Sequence, residues 1–427
     1  MAFARPGLKR ASGTEPSSRQ RALALPVAAG VCALALAAYL AGVILRHPGQ
    51  MLDWYDLKVY NHAGLLARSS PRRLYTWELY PGIKFTYTPF AAVVFAVCSL
   101  LPWAVLRWLM TVASLAALAV TLWLTAGALG WHGRQRATLL AGVAAASLWT
   151  EPVQRALHLG QVELLLMALI VWDLCQPDHR RWKGAGVGVA AGIKLVPLIF
   201  IPYLVLAGKL RQAVAVTVAF LSTIVIGFAF LPHTSAKYWL TGYFMHPGNV
   251  GAVRSLLNQS LLGLVAREMG SVRHATPGWL AVAVLTGVLG LVAAAVLDRA
   301  GRAVAGWLTC ALIGLLCSPI SWDQHWVWVV PAIALLADTA LRARGAARWA
   351  WWGLAVAMAA LLGAWGALPL GEVHPLPGSL QAVSSNLFVE VGLGLLAVAI
   401  GGAWRVRRPG DAKPAGEVLE PSAMTRA

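Results

Sequence analysis

Charged residues are scarce in this chain, at 12% against 59% hydrophobic, and no long stretch has the mixed composition of a water-soluble domain. No glycine-rich phosphate loop stands between a strand and a helix, which disfavours a nucleotide-driven enzyme or pump. HExxH is missing and no His/Cys cluster replaces it, so a metallohydrolase is disfavoured as well. The five cysteines, Cys32, Cys98, Cys175, Cys310 and Cys317, all lie inside apolar runs without metal-ligand spacing and read as free buried thiols. Acidic residues number 17 against 35 basic ones, a formal charge of +18. The lysines and arginines sit in short loops between apolar runs, which is how membrane topology is set, so no nucleic-acid partner is implied.

What is abundant is apolar sequence in runs near the twenty residues a spanning helix needs. The chain reads as an all-α polytopic membrane protein with about ten to twelve spans, none of its loops large enough to carry a core of its own. A basic, polar tail (residues 1–22) places the N-terminus in the cytoplasm. An uncleaved signal anchor follows at about Leu25 to Leu45. The membrane domain extends over 23–404, with long extracytoplasmic loops at 46–89 and 232–277, and a polar cytoplasmic tail closes the chain at 405–427.

The first loop, Met51 to Pro89, organises the rest. It opens on Asp53 and Asp56, and then places Leu57, Tyr60, Ala63, Gly64 and Ala67 at the three- and four-residue steps of a helix lying along the membrane surface. Asp53 reads as the cap of that helix, and Tyr75, Trp77, Tyr80, Phe85 and Tyr87 suit the interface beyond it. Apolar runs from Phe90 to Leu101, Ala104 to Leu129 and Ala137 to Trp149 precede a polar interruption, Thr150 to Gln161. Residues 184–207 have basic flanks on both sides, four glycines, a mid-run Lys194 and Pro197. Two short helices that dip in and return satisfy those flanks, and broken helices at membrane depth line polar cavities. Further spans are predicted at Gln212 to Leu231, Trp279 to Leu297, Ala303 to Leu316, Trp326 to Leu341, Trp349 to Leu370 and Leu387 to Trp404. Positive-inside reasoning then collects Asp53, Asp56, Gln161, Lys194, Arg254, Asn258, Asp323 and His325 at or near one face.

Six ordered segments, DLKVYNHAGLLARSSPRRLY, FTYTPF, HLGQVELLLMAL, GVAAGIKLVPLIFIPYLV, LLNQSLLGLVAR and SPISWDQHWVWVVP, together resemble the landmarks of actinobacterial glycosyltransferase family 87. The resemblance runs from about Asp53 to about Pro331. It implies a GT-C fold and transfer of a sugar from a polyprenyl-phosphate carrier, outside the cell membrane, to a glycolipid or lipoglycan of the phosphatidylinositol mannoside or lipomannan kind, with α-(1→2)-mannose favoured over arabinofuranose because SPISWDQHW and NQS resemble the mannosyl branch. Asp56 falls on the family's catalytic aspartate. His325 falls on the second histidine of a Ser-Trp-x-His-His segment whose first histidine is here Gln324. On this reading Asp56 is the general base, and Lys194, Arg254 and His325 meet the leaving phosphate. Tyr60 and Trp322 suit a sugar face, while Gln161, Asn258 and Gln259 either contact substrate or satisfy loop backbone. The acidic pair is Asp-x-x-Asp and the carrier has one phosphate, so neither a metal nor any other cofactor is expected. A secondary transporter would show two matching halves, which are not found, and a cell-envelope scaffold would not need Asp56.

Overall fold

The computed structural model describes residues 52–80, 83–245, 252–364 and 383–407, with Leu34 and Ala37 besides. Most of the signal anchor, Cys32, the N-terminal tail, the C-terminal tail after Arg407 and most of the loop before the last span lie outside the described residues. The first loop carries helix α1 (Tyr55–Ser69), which buries Leu57, Tyr60, Ala63 and Gly64 as its spacing predicts. A two-stranded antiparallel ribbon, β1 (Glu78–Tyr80) with β2 (Ile83–Lys84), follows and is the one feature the all-helical reading lacks. The helices α2 (Pro89–Cys98), α3 (Trp103–Ala128) and α4 (Gly133–Leu148) then match the predicted runs.

Among the described residues five helices are long and apolar enough to cross a membrane: α3, α9 (Leu210–Phe230), α12 (Val272–Arg299), α15 (Gly345–Ala364) and α16 (Leu387–Arg407). A sixth span arises if the bent pair α5 (Glu151–Leu159) and α6 (Glu163–Leu174), at 115° to each other, is one crossing. Shorter apolar helices, α13 (Ala303–Cys317) and α14 (Val329–Arg342) among them, complete the bundle.

The predicted polar interruption at 150–161 is in fact largely helix α5. Pro152 sits in its first turn, Val153, Ala156 and Leu157 face the core, and Gly160 stops it. Gly160 adopts φ +68, and a Cβ there would lie 2.9 Å from Leu57 Cβ, so the turn is glycine by both conformation and space. Helix α12 begins at Val272, earlier than the predicted Trp279, because the Ser271 hydroxyl accepts the His274 N–H and starts the helix inside the polar loop.

Residues 184–207 form the broken hairpin that their flanks require. Helix α7 (Ala185–Ile193) ends at Lys194, a 3₁₀ turn covers Val196–Ile199, and α8 (Phe200–Leu206) returns. Its two ends meet: Gln212 donates to Asp178 at 3.1 Å and Arg211 to the His179 carbonyl at 3.3 Å, so both basic flanks are on one side. The Asp173 carboxylate accepts the Gly184 and Val187 N–H groups and so caps α7. Against α9 the hairpin packs closely, and a Cβ on Gly188 would lie 2.4 Å from the Val216 carbonyl oxygen. Lys194 is thereby carried to the apex.

Candidate active site

Asp56 stands in the first turn of α1, behind Trp54, whose φ of 47 is the only positive value among described non-glycine residues. The Trp54 N–H donates to the His158 carbonyl at 2.9 Å and its indole N–H to Thr111 at 3.2 Å. These bonds hold a backbone conformation that an L-residue adopts at a cost, and they fasten the start of α1 to α5 and to α3. Asp53 does not cap the helix. It pairs with Lys58 at 2.9 Å in a half-exposed contact, because Trp54 occupies the cap position. Lys58 is thereby drawn to Asp53 and not to Asp56.

Gln161, buried beyond the Gly160 turn, donates its amide N–H to the Asp56 carboxylate. Its carbonyl oxygen accepts the Tyr60 hydroxyl at 2.6 Å, and Tyr60 and Tyr87 share a 2.7 Å hydrogen bond. The amide can therefore present only its N–H side to Asp56. Burial, then the nearby Glu163 carboxylate, push the Asp56 pKa up to about 7, while Gln161, Lys194 and Arg155 pull the other way.

Glu163 begins α6 and is paired with Lys194. His325 lies in the 3₁₀ turn Asp323–Trp328, where its Nδ1 accepts the Trp322 N–H at 3.2 Å. Burial, and then the Lys194 cation, push its pKa well below the ordinary histidine value, so the ring is neutral. Its Nε2 is 2.8 Å from Lys194 Nζ and 3.4 Å from Glu163 Oε1, so Lys194 and His325 converge on one carboxylate oxygen. Lys194, Glu163 and His325 form the polar head of a cleft whose walls include Leu166, Met167, Ile170, Pro197 and Phe200. An apolar cleft ending in paired donors suits an amphiphile with an anionic head.

The other expected residues are placed differently. Asn258 donates to the Val253 and Pro319 carbonyls and accepts the Ser321 N–H, and Gln259 donates to Leu256 and Ser385 and accepts from Phe388. Both amides are consumed in holding the Ser318–Trp322 loop and the start of α16. Trp322 is half-buried on that loop, packed beside Leu262 and Ile320. Arg254 is exposed and makes no hydrogen bond or ion pair with the described residues. Glu163 and Arg155 are not singled out in the sequence, and Tyr87 is read there only as an interfacial aromatic. Glu163 carried a signal: an acid placed where a long apolar run starts.

Among the described residues no group of three or more His, Cys, Asp or Glu is arranged to hold a metal ion, and Cys98, Cys175, Cys310 and Cys317 are free.

The sequence profile of glycosyltransferase family 87 matches residues 85–319. The chain belongs to this family. It is an integral-membrane glycosyltransferase, and among its relatives is the polyprenol-phosphate-mannose-dependent alpha-(1-2)-phosphatidylinositol pentamannoside mannosyltransferase of Mycobacterium tuberculosis, 34% identical over 359 residues, covering 82% of this chain and 79% of the relative. A protein of the same description from Mycolicibacterium smegmatis is 31% identical over 309 residues, 70% of this chain and 73% of the relative. A polyprenol-phosphate-mannose-dependent alpha-(1-2)-phosphatidylinositol mannoside mannosyltransferase of Mycobacterium tuberculosis is 30% identical over 277 residues, 62% and 64% respectively. No solved structure matches. The family 87 profile begins after Asp56 and ends before His325, so what these two residues do is argued from their geometry.

Proposed function

We propose that this family 87 enzyme transfers mannose from polyprenyl-phosphate-mannose to a glycolipid or lipoglycan of the phosphatidylinositol mannoside type in α-1,2 linkage, at the extracytoplasmic face of the cell membrane. The observation that carries the reading is the junction of a buried, amide-oriented carboxylate, Asp56, with the Lys194–Glu163–His325 head of an apolar cleft. Asp56 takes the proton of the acceptor hydroxyl as that oxygen bonds to the anomeric carbon. The bond from that carbon to the carrier's phosphate oxygen breaks, its electron pair leaves with the phosphate, and the configuration inverts. Lys194 and His325 turn their donors from Glu163 to the departing phosphate, whose charge grows in a site where such contacts are strong.

These donors serve where a nucleotide-sugar enzyme uses a divalent ion, so transfer is expected to survive EDTA. Loss of activity in EDTA with recovery on Mg²⁺ or Mn²⁺ would make Asp56 a metal ligand instead of a base. The donor itself is tested with purified protein, mixed acceptor lipids and labelled polyprenyl-phosphate-mannose or polyprenyl-phosphate-arabinofuranose in parallel. Label in a glycolipid from the mannose donor alone is the expected result. Label from the arabinose donor alone would reassign the sugar.

A further inference from the structure

Asp323, a carboxylate the mechanism does not use, is fully enclosed, and no side chain among the described residues donates a hydrogen bond to it; only the backbone N–H groups of its own turn face it. Its one close charge is Arg155, whose Nε stands 3.3 Å from Asp323 Oδ2. The two belong to segments that already frame the site: Asp323 opens the 3₁₀ turn that carries His325, and Arg155 lies on α5, which is tied to the start of α1 through the bond from the Trp54 N–H to the His158 carbonyl. Glu151, one turn before Arg155, adds a second acid to its surroundings. The Arg155 side chain is nevertheless 32% exposed, and its two terminal nitrogens have no partner among the described residues.

A guanidinium that lies against one carboxylate without hydrogen-bonding to it keeps its N–H donors for a second anion. Arg155 acts on the Asp56 carboxylate electrostatically, as Lys194 does, which sets the two cations about the same carboxylate. We propose that Arg155 is a second phosphate-binding cation, positioned by Asp323 as Lys194 is positioned by Glu163, and that it grips the phosphodiester of the polyprenyl-phosphate donor from the α5 side. The proposal rests on the donor reading above and adds a residue to it. Asp323 is a positioning residue that acts through the arginine.

The test uses full-length protein purified in detergent, with unglycosylated polyprenyl phosphate as a competitive probe of the phosphate site. Arg155→Gln is expected to raise both the donor KM and the inhibition constant of polyprenyl phosphate roughly 10- to 100-fold, the worth of a hydrogen bond to a charged group, and to leave the acceptor KM unchanged. Arg155→Lys keeps the charge without the fork and should recover part of the loss. Asp323→Asn should raise the same two constants by a smaller factor, since the guanidinium stays charged but loses its anchor. Unchanged donor KM and inhibition constant would overturn the proposal. A rise in the acceptor KM alone would do so too, by moving the anion to the acceptor. A lowered Tm with Lys no better than Gln would reduce the pair to a structural ion pair. Direct binding of polyprenyl phosphate separates this inference from the functional one: protein that transfers no mannose yet binds the probe through Arg155 refutes only the latter.

Discussion

A carboxylate is useful as a base only when it holds the proton it has taken, and Asp56 is placed to do so. An ordinary aspartate gives up protons too readily at neutral pH, whereas burial beside Glu163 brings this one up to about 7. On the proposed mechanism the deprotonated form is the active one, so kcat/KM is expected to be level above that value and to fall about tenfold per pH unit below it. A pH profile of the purified enzyme checks this, and a limb near pH 4 would mean that Asp56 is solvated during turnover. At this scale the sequence was readable where one residue announces itself and silent where two must meet. Asp56 heads a surface helix and Lys194 interrupts an apolar run, and both signals are local. Lys194 finds Glu163 31 residues away and His325 131 residues away, and no spacing within the sequence predicts such pairs. Asn258 and Gln259 look identical in sequence whether they serve a ligand or a carbonyl, and only the fold shows their amides taken up by backbone.

Two short elements fix the site, and both depend on turns. Helices α1 and α5 meet where the Gly160 turn nests against Leu57 and Trp54. Alanine at 160 would bear a left-handed conformation costing roughly 1–2 kcal/mol in addition to the clash with Leu57. Gly160→Ala is accordingly expected to lower Tm and to reduce kcat by moving Gln161 relative to Asp56, with donor KM less affected. Thermal unfolding and steady-state kinetics on one preparation check it, and a variant with wild-type kcat would show that this turn does not set the Asp56–Gln161 contact. The broken hairpin at 184–207 was legible because charge and glycine spacing gave the same answer twice. Helix α5 was not, because Arg155, Gln154 and His158 lend it a polar look that conceals a buried face of Pro152, Val153, Ala156 and Leu157.

Across the whole molecule, apolar runs foretold most of the helices, since in hydrocarbon every backbone polar group must be bonded within its own segment. Their ends were less certain, as Val272 shows, because a cap such as Ser271 extends a helix into polar sequence. Sidedness follows from the hairpin: its flanks, joined through Asp178 and Gln212, are expected in the cytoplasm, with the first loop outside. In a cysteine-free background of intact cells, Arg180→Cys and Arg211→Cys should resist an impermeant thiol reagent until the cells are opened, while Ser69→Cys should react at once. All three positions are exposed in the fold, so labelling of either hairpin flank from outside would invert the topology. The spans, the hairpin and the fastened first loop together hold the Asp56 carboxylate that we propose as the base, and the most direct measurement of that role is transfer by Asp56→Asn in purified protein. Asparagine keeps an oxygen for the Gln161 N–H and cannot take a proton, so polyprenyl-phosphate binding should persist while kcat falls on the order of 10²–10⁴-fold. Near-normal turnover by the Asp56→Asn enzyme would contradict the account.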